Sequence, residues 1–406
     1  MPPIDPEPVE LEAHGIANGG AAVARDEGGR VVFVEGALPG ERVRVELTEQ
    51  RSSFARGRVV EVLTAAPGRV EPVCPEVGTG CGGCDLAYAT HGTQLDLKAQ
   101  MVADALARIG HVAAPTVGHG PPLAPTGFRT TIRAAVVGGR AGLRRARSND
   151  VVEVRSCRVA HPTVEELLVE GRYGDADEIT IRVGARTGER MVVTDGDPST
   201  VVVPDDVVVV GADGPVAHVH EVVAGHRFRI SPRSFFQTRA DGADALVATV
   251  TSAVSGSSTP GSPGTLVDLC CGVGLFAATV GGSAGRVVAV ESNRAAVADA
   301  RHNLAALGDR VDVVGSTFER WTPVPADVVV ADPSRAGLGR AGVSNVLATG
   351  APLVVLVSCD AGSLGRDAGL LVAAGLTLDE VTLVDMFPDT SHVEVVSVFR
   401  RGGAPS

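Results

Sequence analysis

Lysine is almost missing from this chain. Lys98 is the one lysine among 406 residues, so the rest of the 36 basic side chains are arginines. A composition rich in Gly, Ala, Val and Arg accounts for that exchange. Also missing is any apolar run of the roughly 20 residues needed to cross a bilayer. The opening Met1-Pro2-Pro3-Ile4-Asp5-Pro6-Glu7-Pro8 is acidic and has no apolar segment of the leader type, so a cytoplasmic protein with no membrane partner is expected. Internal repeats are absent. Seven cysteines in so long a chain do not make a disulfide scaffold; in a cytosolic protein, clustered cysteines point to metal binding or catalysis.

What is present indicates a folded protein of two or three domains, with 44% apolar residues. The net charge of −12 argues against a nucleic-acid partner, but its distribution reverses the argument. Between residues 121 and 160 eight arginines (129, 133, 140, 144, 145, 147, 155 and 158) face two acids, Asp150 and Glu153. Residues 8 to 64 form short alternating runs separated by turns such as Leu38-Pro39-Gly40-Glu41, the pattern of a small OB-like β-barrel. Arg42, Arg44, Arg51, Arg56 and Arg58 would give that barrel a basic face.

Cys74 is followed by Gly80-Cys81-Gly82-Gly83-Cys84, and Cys157 stands far downstream. Three thiols in a glycine-rich loop and one from afar supply four soft ligands, which suit zinc and an iron–sulfur cluster equally. The spacing predicts a helix from Gln94 to Ile109, a linker over Gly118–Pro125, and a strand-rich segment from Phe128 to about Ile230 that carries the arginine cluster. A Gly/Ser/Pro loop over 255–264 follows.

Beyond that loop strands and helices alternate, which describes an open, doubly wound α/β sheet. Thr265–Leu269 runs into Cys270-Cys271-Gly272-Val273-Gly274, and Arg286–Val290 ends in Glu291. A glycine turn after a first strand and an acid after the second suit a nucleoside ligand. The turn lacks the third glycine of a dinucleotide site, which disfavours NAD and favours S-adenosylmethionine. Leu353–Val357 reads as a buried parallel strand that delivers Cys359 to the carboxyl edge, where a thiolate would be a strong nucleophile.

Five motifs occur together in order: Cys81-Gly82-Gly83-Cys84, Ser234-Phe235-Phe236-Gln237, Asp332-Pro333-Ser334-Arg335, Ser358-Cys359-Asp360, and Asp385-Met386-Phe387-Pro388 running to His392-Val393-Glu394. In these the chain resembles the RNA (uracil-5-)-methyltransferase family, in its branch with an N-terminal TRAM domain and a four-cysteine iron–sulfur loop. The resemblance covers nearly the whole chain. It implies Cys359 as nucleophile and Glu394 as base. It implies adenosylmethionine contacts at Gln237, the turn from Cys270 through Gly272 to Gly274, Glu291 and Asp332. It also implies a [4Fe-4S] cluster on Cys74, Cys81, Cys84 and Cys157, with zinc as the alternative.

The chain departs from the family pattern at Cys270, often aromatic there, at Arg239 in place of Asn, at Asp389 in place of His, and at Leu86-Ala87-Tyr88 in place of Gln or His. The first cysteine gap has six intervening residues, where the family commonly has five. No departure removes an implied catalytic residue.

The chemistry matches the residue types. C5 of uracil is a poor nucleophile until a thiolate adds at C6, and an electropositive crevice is expected to favour that thiolate. Glu394, expected to be ionised at neutral pH, would then remove the C5 proton. The base must be flipped out of the stack, which favours loops or ends of RNA, with the arginines holding the phosphates.

The expected architecture is therefore a TRAM β-barrel (8–66), a central cysteine-loop and RNA-facing domain (70–91 and 120–228), and a Rossmann-like methyltransferase domain (92–119 and 229–406). The expected activity is methylation of a uridine in structured RNA by a monomeric enzyme, with ribosomal RNA preferred to transfer RNA. A non-catalytic iron–sulfur RNA-binding protein and an NAD-dependent oxidoreductase are the alternatives from other classes.

Overall fold

The computed structural model describes residues 7–113, 116–211, 217–256 and 263–402. The acidic opening stretch and most of the expected loop at 255–264 lie outside them.

Strands β1 (Val9–Ile16), β2 (Ala22–Arg25), β3 (Val31–Glu35), β4 (Arg42–Gln50) and β5 (Phe54–Thr64) close into a barrel in the order β1-β2-β3-β5-β4. Alternate residues point inward, and many are small (Ala13, Ala22, Ala24, Ala55), which lets so narrow a barrel close around Val32, Val34, Val43 and Val45. The expected basic face is not there. Arg42 pairs with Glu10, Arg44 with Glu10 and Glu61, Arg51 and Arg56 with Glu49, and Arg58 with Glu46. Register is the cause: β4 and β5 set Arg44 opposite Glu61 and Glu46 opposite Arg58, and such cross-strand pairs neutralise each other.

A six-stranded sheet follows, of order β14-β12-β11-β7-β8-β9, built from β7 (Thr131–Val137), β8 (Arg140–Arg144), β9 (Val151–Glu153), β11 (Glu178–Val183), β12 (Arg190–Thr194) and β14 (Val207–Gly211). The ribbon β10 (Arg172–Tyr173) and β13 (Val201–Val202) flanks it. The hairpin β15 (Val219–Val223) and β16 (His226–Ile230) packs Val219, Val223, Phe228 and Ile230 into the core of the next layer, so the sequence-drawn boundary at 228 falls inside that hairpin.

The largest sheet has eight strands: β6 (Val117–His119), β17 (Thr265–Leu269), β18 (Arg286–Glu291), β19 (Val311–Gly315), β20 (Val328–Ala331), β21 (Leu353–Ser358), β22 (Leu376–Leu383) and β23 (Val395–Arg401). Their order is β19-β18-β17-β20-β21-β23-β22-β6, with the first five parallel and β23 antiparallel to both its neighbours. Strand β21 is thus parallel on one side only. The stretch expected to be a linker from Gly118 begins inside β6, which adds to β22 and ends the sheet.

The helix expected from Gln94 runs over His91–Arg108, one turn earlier, because Thr90 caps it by accepting a hydrogen bond from the Thr93 N–H. It packs against the helix Ala361–Ala373, where a Cβ on Gly365 would lie 2.4 Å from the carbonyl oxygen of Ala105. On the His91–Arg108 helix sits Lys98, wholly buried. Its Nζ donates to Asp385 Oδ1 at 2.6 Å and to the Phe387 carbonyl at 2.8 Å, while Asp385 Oδ2 lies 2.7 Å from His91 Nε2. Burial pulls the lysine pKa down and the Asp385 charge opposes it. The ion pair fixes the segment after β22 to the helix.

Removing one partner of such a buried pair strands the other charge. Lys98→Met should cost about 3–5 kcal/mol in chemical denaturation, and the double variant Lys98→Met/Asp385→Asn should recover part of that loss.

Candidate active site

The strand order reverses at β17, and the crevice at such a reversal is where open α/β sheets bind ligands. The carboxyl edge reads, in sheet order, Glu291 as the last residue of β18, then Cys270, Asp332 and Cys359 as the residues that follow β17, β20 and β21. β23 runs the other way, so its start lies at this edge. Ser358 pairs with Val395, and the next register step sets Cys359 opposite Glu394.

Glu394 is buried, and its Oε1 has no hydrogen-bond partner. Burial pushes its pKa well above the carboxylate range, and the Asp332 charge pushes the same way. Asp332, which accepts a bond from Gln237 Nε2 at 3.3 Å, is raised to about 7 by burial. The Cys359 thiol is pushed up to about 12, first by burial and then by the charges of Glu394 and Asp332, with Arg335 and a backbone hydrogen bond pulling it down. Two expectations are corrected here. The crevice around Cys359 is acidic rather than electropositive, and Glu394 does not keep the pKa of an ordinary carboxylate but is raised, because two carboxyl groups share one desolvated edge.

The turn after β17 takes left-handed backbone at Cys270, Gly272 and Gly274, with φ of 63°, 55° and 95°. Glu291 braces it: Oε2 accepts from the Gly272 N–H at 3.0 Å, and Oε1 accepts from Ser292 and Asn293 at 2.7 and 2.6 Å. Asp268 is wholly buried behind it, one oxygen accepting from the Ala277 N–H at 2.8 Å and the other without a partner. The open turn, the Glu291 carboxylate and Gln237 fit a nucleoside-bearing cofactor. The Cys270 thiol pKa is raised chiefly by burial, then by the Asp332 and Glu291 charges.

Sequence reasoning missed the residue that anchors the Ser231–Ser234 segment ahead of Gln237. Asp299, wholly buried, accepts from Arg229 Nε, from the Ser231 N–H and from the Ser231 and Ser234 hydroxyls, all within 2.8 Å. Arg239, one of the departures, is buried: it pairs with Asp241 and donates to the carbonyls of Asp385 and Ala124.

Cys74, Cys81, Cys84 and Cys157 line one cavity of about 260 Å³, together with Arg129, Arg133, Arg144, Arg158 and Asp389. Among the described residues no three His, Cys, Asp or Glu side chains converge closely enough to hold a single metal ion. Four thiols around a cavity rather than around a point suit a multi-atom thiolate-bound group better than one ion. The cysteine loop is also stitched to the segment before β23. The Leu86 N–H donates to the Asp389 carbonyl at 2.9 Å, the Ser391 N–H to Asp85 Oδ1 at 2.8 Å, and Gln94 exchanges two bonds with Asp389.

Of the clustered arginines, Arg133 pairs with Glu178, Arg140 with Glu153 and Arg147 with Glu35 of the barrel. Among the described residues no ion pair involves Arg145, Arg155 or Arg158.

Residues 7–60 match the TRAM domain and residues 227–344 the methyltransferase small domain. An uncharacterized RNA methyltransferase of Streptomyces avermitilis is 35% identical over 97% of this chain and 98% of its own. The 23S rRNA (uracil(1939)-C(5))-methyltransferase RlmD of Alkalilimnicola ehrlichii is 33% identical over 97% of both. The crystal structure of Pyrococcus abyssi tRNA (uracil-54, C5)-methyltransferase with S-adenosyl-L-homocysteine aligns with a TM-score of 0.75 at 23% identity, covering 96% of this chain and 100% of that one. That likeness extends to the whole fold.

The raised Asp332 gives a signed prediction. A carboxyl whose pKa rises on folding costs nothing below its unfolded value of about 4, then progressively more until pH passes the folded value of about 7. Asp332→Asn should therefore leave urea stability unchanged near pH 4 and, allowing for partial exposure, raise it by about 2 kcal/mol at pH 8.

Proposed function

Because the chain belongs to the family of RNA uracil-C5 methyltransferases, we propose that it methylates C5 of a uridine in folded ribosomal RNA, with Cys359 as nucleophile and Glu394 as base. The observation that carries this reading is the meeting of Cys359, Glu394 and Asp332 at one edge, beside the open glycine turn. Ribosomal RNA is preferred over transfer RNA because the relative named for 23S rRNA matches along the full chain.

Adenosylmethionine, when bound, supplies a methyl group on a cationic sulfonium whose charge favours ionised carboxylates nearby. Gly272, Gly274, Glu291, Gln237 and Asp332 would hold it. Cys359 keeps its proton while the crevice is empty, which protects the thiol from oxidation and stray electrophiles. On addition, its sulfur bonds to C6, the C5=C6 electron pair moves toward O4, and the thiol proton leaves to an ionised carboxylate or to water. C5 is then nucleophilic enough to take a methyl group. Glu394, once ionised, removes the C5 proton through its unpartnered Oε1, and the returning electron pair expels the cysteine. The methyl-bearing ring leaves aromatic.

We infer further that Cys74, Cys81, Cys84 and Cys157 hold a [4Fe-4S] cluster, with zinc as the alternative. Its chemistry here is support: the ligand loop is hydrogen-bonded to the segment leading to Glu394. Anaerobically purified protein should be brown and contain iron and sulfide; colourless protein carrying stoichiometric zinc would decide for the alternative.

Labelled cofactor should put methyl groups into undermethylated ribosomal RNA, and label entering transfer RNA alone would reverse the substrate assignment. Cys359→Ala should give no product. Glu394→Gln should slow turnover by about 10²–10⁴-fold and accumulate methylated RNA still joined to protein.

A further inference from the structure

A pocket of about 180 Å³ opens beside the Cys359 thiol, and its wall does not come from the eight-stranded sheet alone. Asn18 and Gly19, in the turn between β1 and β2 of the barrel, line it with Arg335, Asp360, Ser391 and His392. The turn is seated closely. Gly20 has a φ of 83°, and a Cβ there would lie 2.6 Å from Ser391 Cβ and 2.9 Å from Asp85 Oδ2. Asn18 Nδ2 donates to Asp360 Oδ2 at 3.2 Å, while Asp360 Oδ1 accepts from the Ser363 N–H at 2.7 Å and caps the helix that follows the nucleophile. The residue after Cys359 is thus held on one side by its own helix and on the other by the barrel.

The chemistry of the ring says which part of a nucleotide meets this wall. Cys359 attacks C6, and C6 is bonded to N1, the atom that carries the ribose. Groups on the solvent side of Cys359 therefore stand nearer the sugar and its phosphates than the imide edge at N3 and O4. A carboxamide both donates and accepts, and an ionised carboxylate accepts; together they match a 2′-hydroxyl, which also does both. Arg335, exposed on the same rim, suits an adjoining phosphate.

We propose that Asn18, with Asp360, forms the ribose site of the target nucleotide and reads its 2′-hydroxyl, so that the barrel is part of the active site as well as an RNA anchor. The proposal rests on the uridine-methylating reading above. When the nucleotide enters, the hydroxyl takes a place in the Asn18–Asp360 hydrogen bond.

The test uses the shortest ribosomal RNA fragment that the wild-type enzyme methylates, synthesised with either uridine or 2′-deoxyuridine at the methylated position. Wild-type kcat/KM should fall about tenfold or more on the deoxy substrate, the size of one lost hydrogen bond to a well-placed group. Asn18→Ala, at an exposed position, should keep the wild-type thermal transition. It should lose about tenfold on the ribo substrate and show little further loss on the deoxy one. The proposal is overturned if Asn18→Ala matches wild type on the ribo substrate, or if its loss is the same on both substrates, which would make the turn a packing element. If wild type methylates no RNA, the reading of the enzyme fails instead.

Discussion

Everything at the reactive edge depends on one antiparallel strand pairing. Strands β17, β18, β20 and β21 all deliver their carboxyl ends to the crevice, as parallel strands must. A residue that precedes a strand would ordinarily lie at the opposite edge. Because β23 inserts antiparallel between β21 and β22, its start returns to the edge where β21 stops, and Glu394 comes opposite Cys359. The pairing Ser358 with Val395 thus sets the spacing between Cys359 and Glu394 with backbone hydrogen bonds, which are stiffer than any loop. The segment entering β23 is in turn tied down by Lys98, Gln94, Asp85 and Arg239.

The electrostatics of the edge run against a thiolate at Cys359. Burial and two carboxyl groups push the thiol pKa up, and burial raises that of Glu394 as well. A site preset as thiolate and carboxylate would put adjacent negative charges in a desolvated pocket, at a large cost to the fold. Ligands carrying positive charge and polarisable carbonyls change that balance as they enter.

Much of the fold was legible because its signals are local. The run Leu353–Val357, the turn from Cys270 to Gly274 and the alternating runs of the barrel each declare themselves within about ten residues. The charge of the barrel face was not legible, since it depends on which Glu stands across from which Arg. Neither was the burial of Glu394, which in an alternating strand resembles a solvent-facing residue until β21 and β22 are known to flank it. The pairs that steady the site join residues 287 and 342 positions apart, Lys98 to Asp385 and Asn18 to Asp360, and no local pattern announces them. One signal was available in retrospect. In a chain that uses arginine everywhere else, its single lysine marks a buried position where a compact ammonium is bonded to a carboxylate and a carbonyl.

The central claim is a transient bond from the Cys359 sulfur to C6 of a uracil. Substrate RNA carrying 5-fluorouridine lacks the C5 proton that the proposed base Glu394 would abstract, so the bond once formed should persist. With cofactor present, digestion and mass spectrometry should find a fluoromethyl nucleotide attached to the peptide containing Cys359 and to no other. A wild-type enzyme that methylates ordinary RNA yet yields no adduct at Cys359 with the fluorinated RNA would contradict the account.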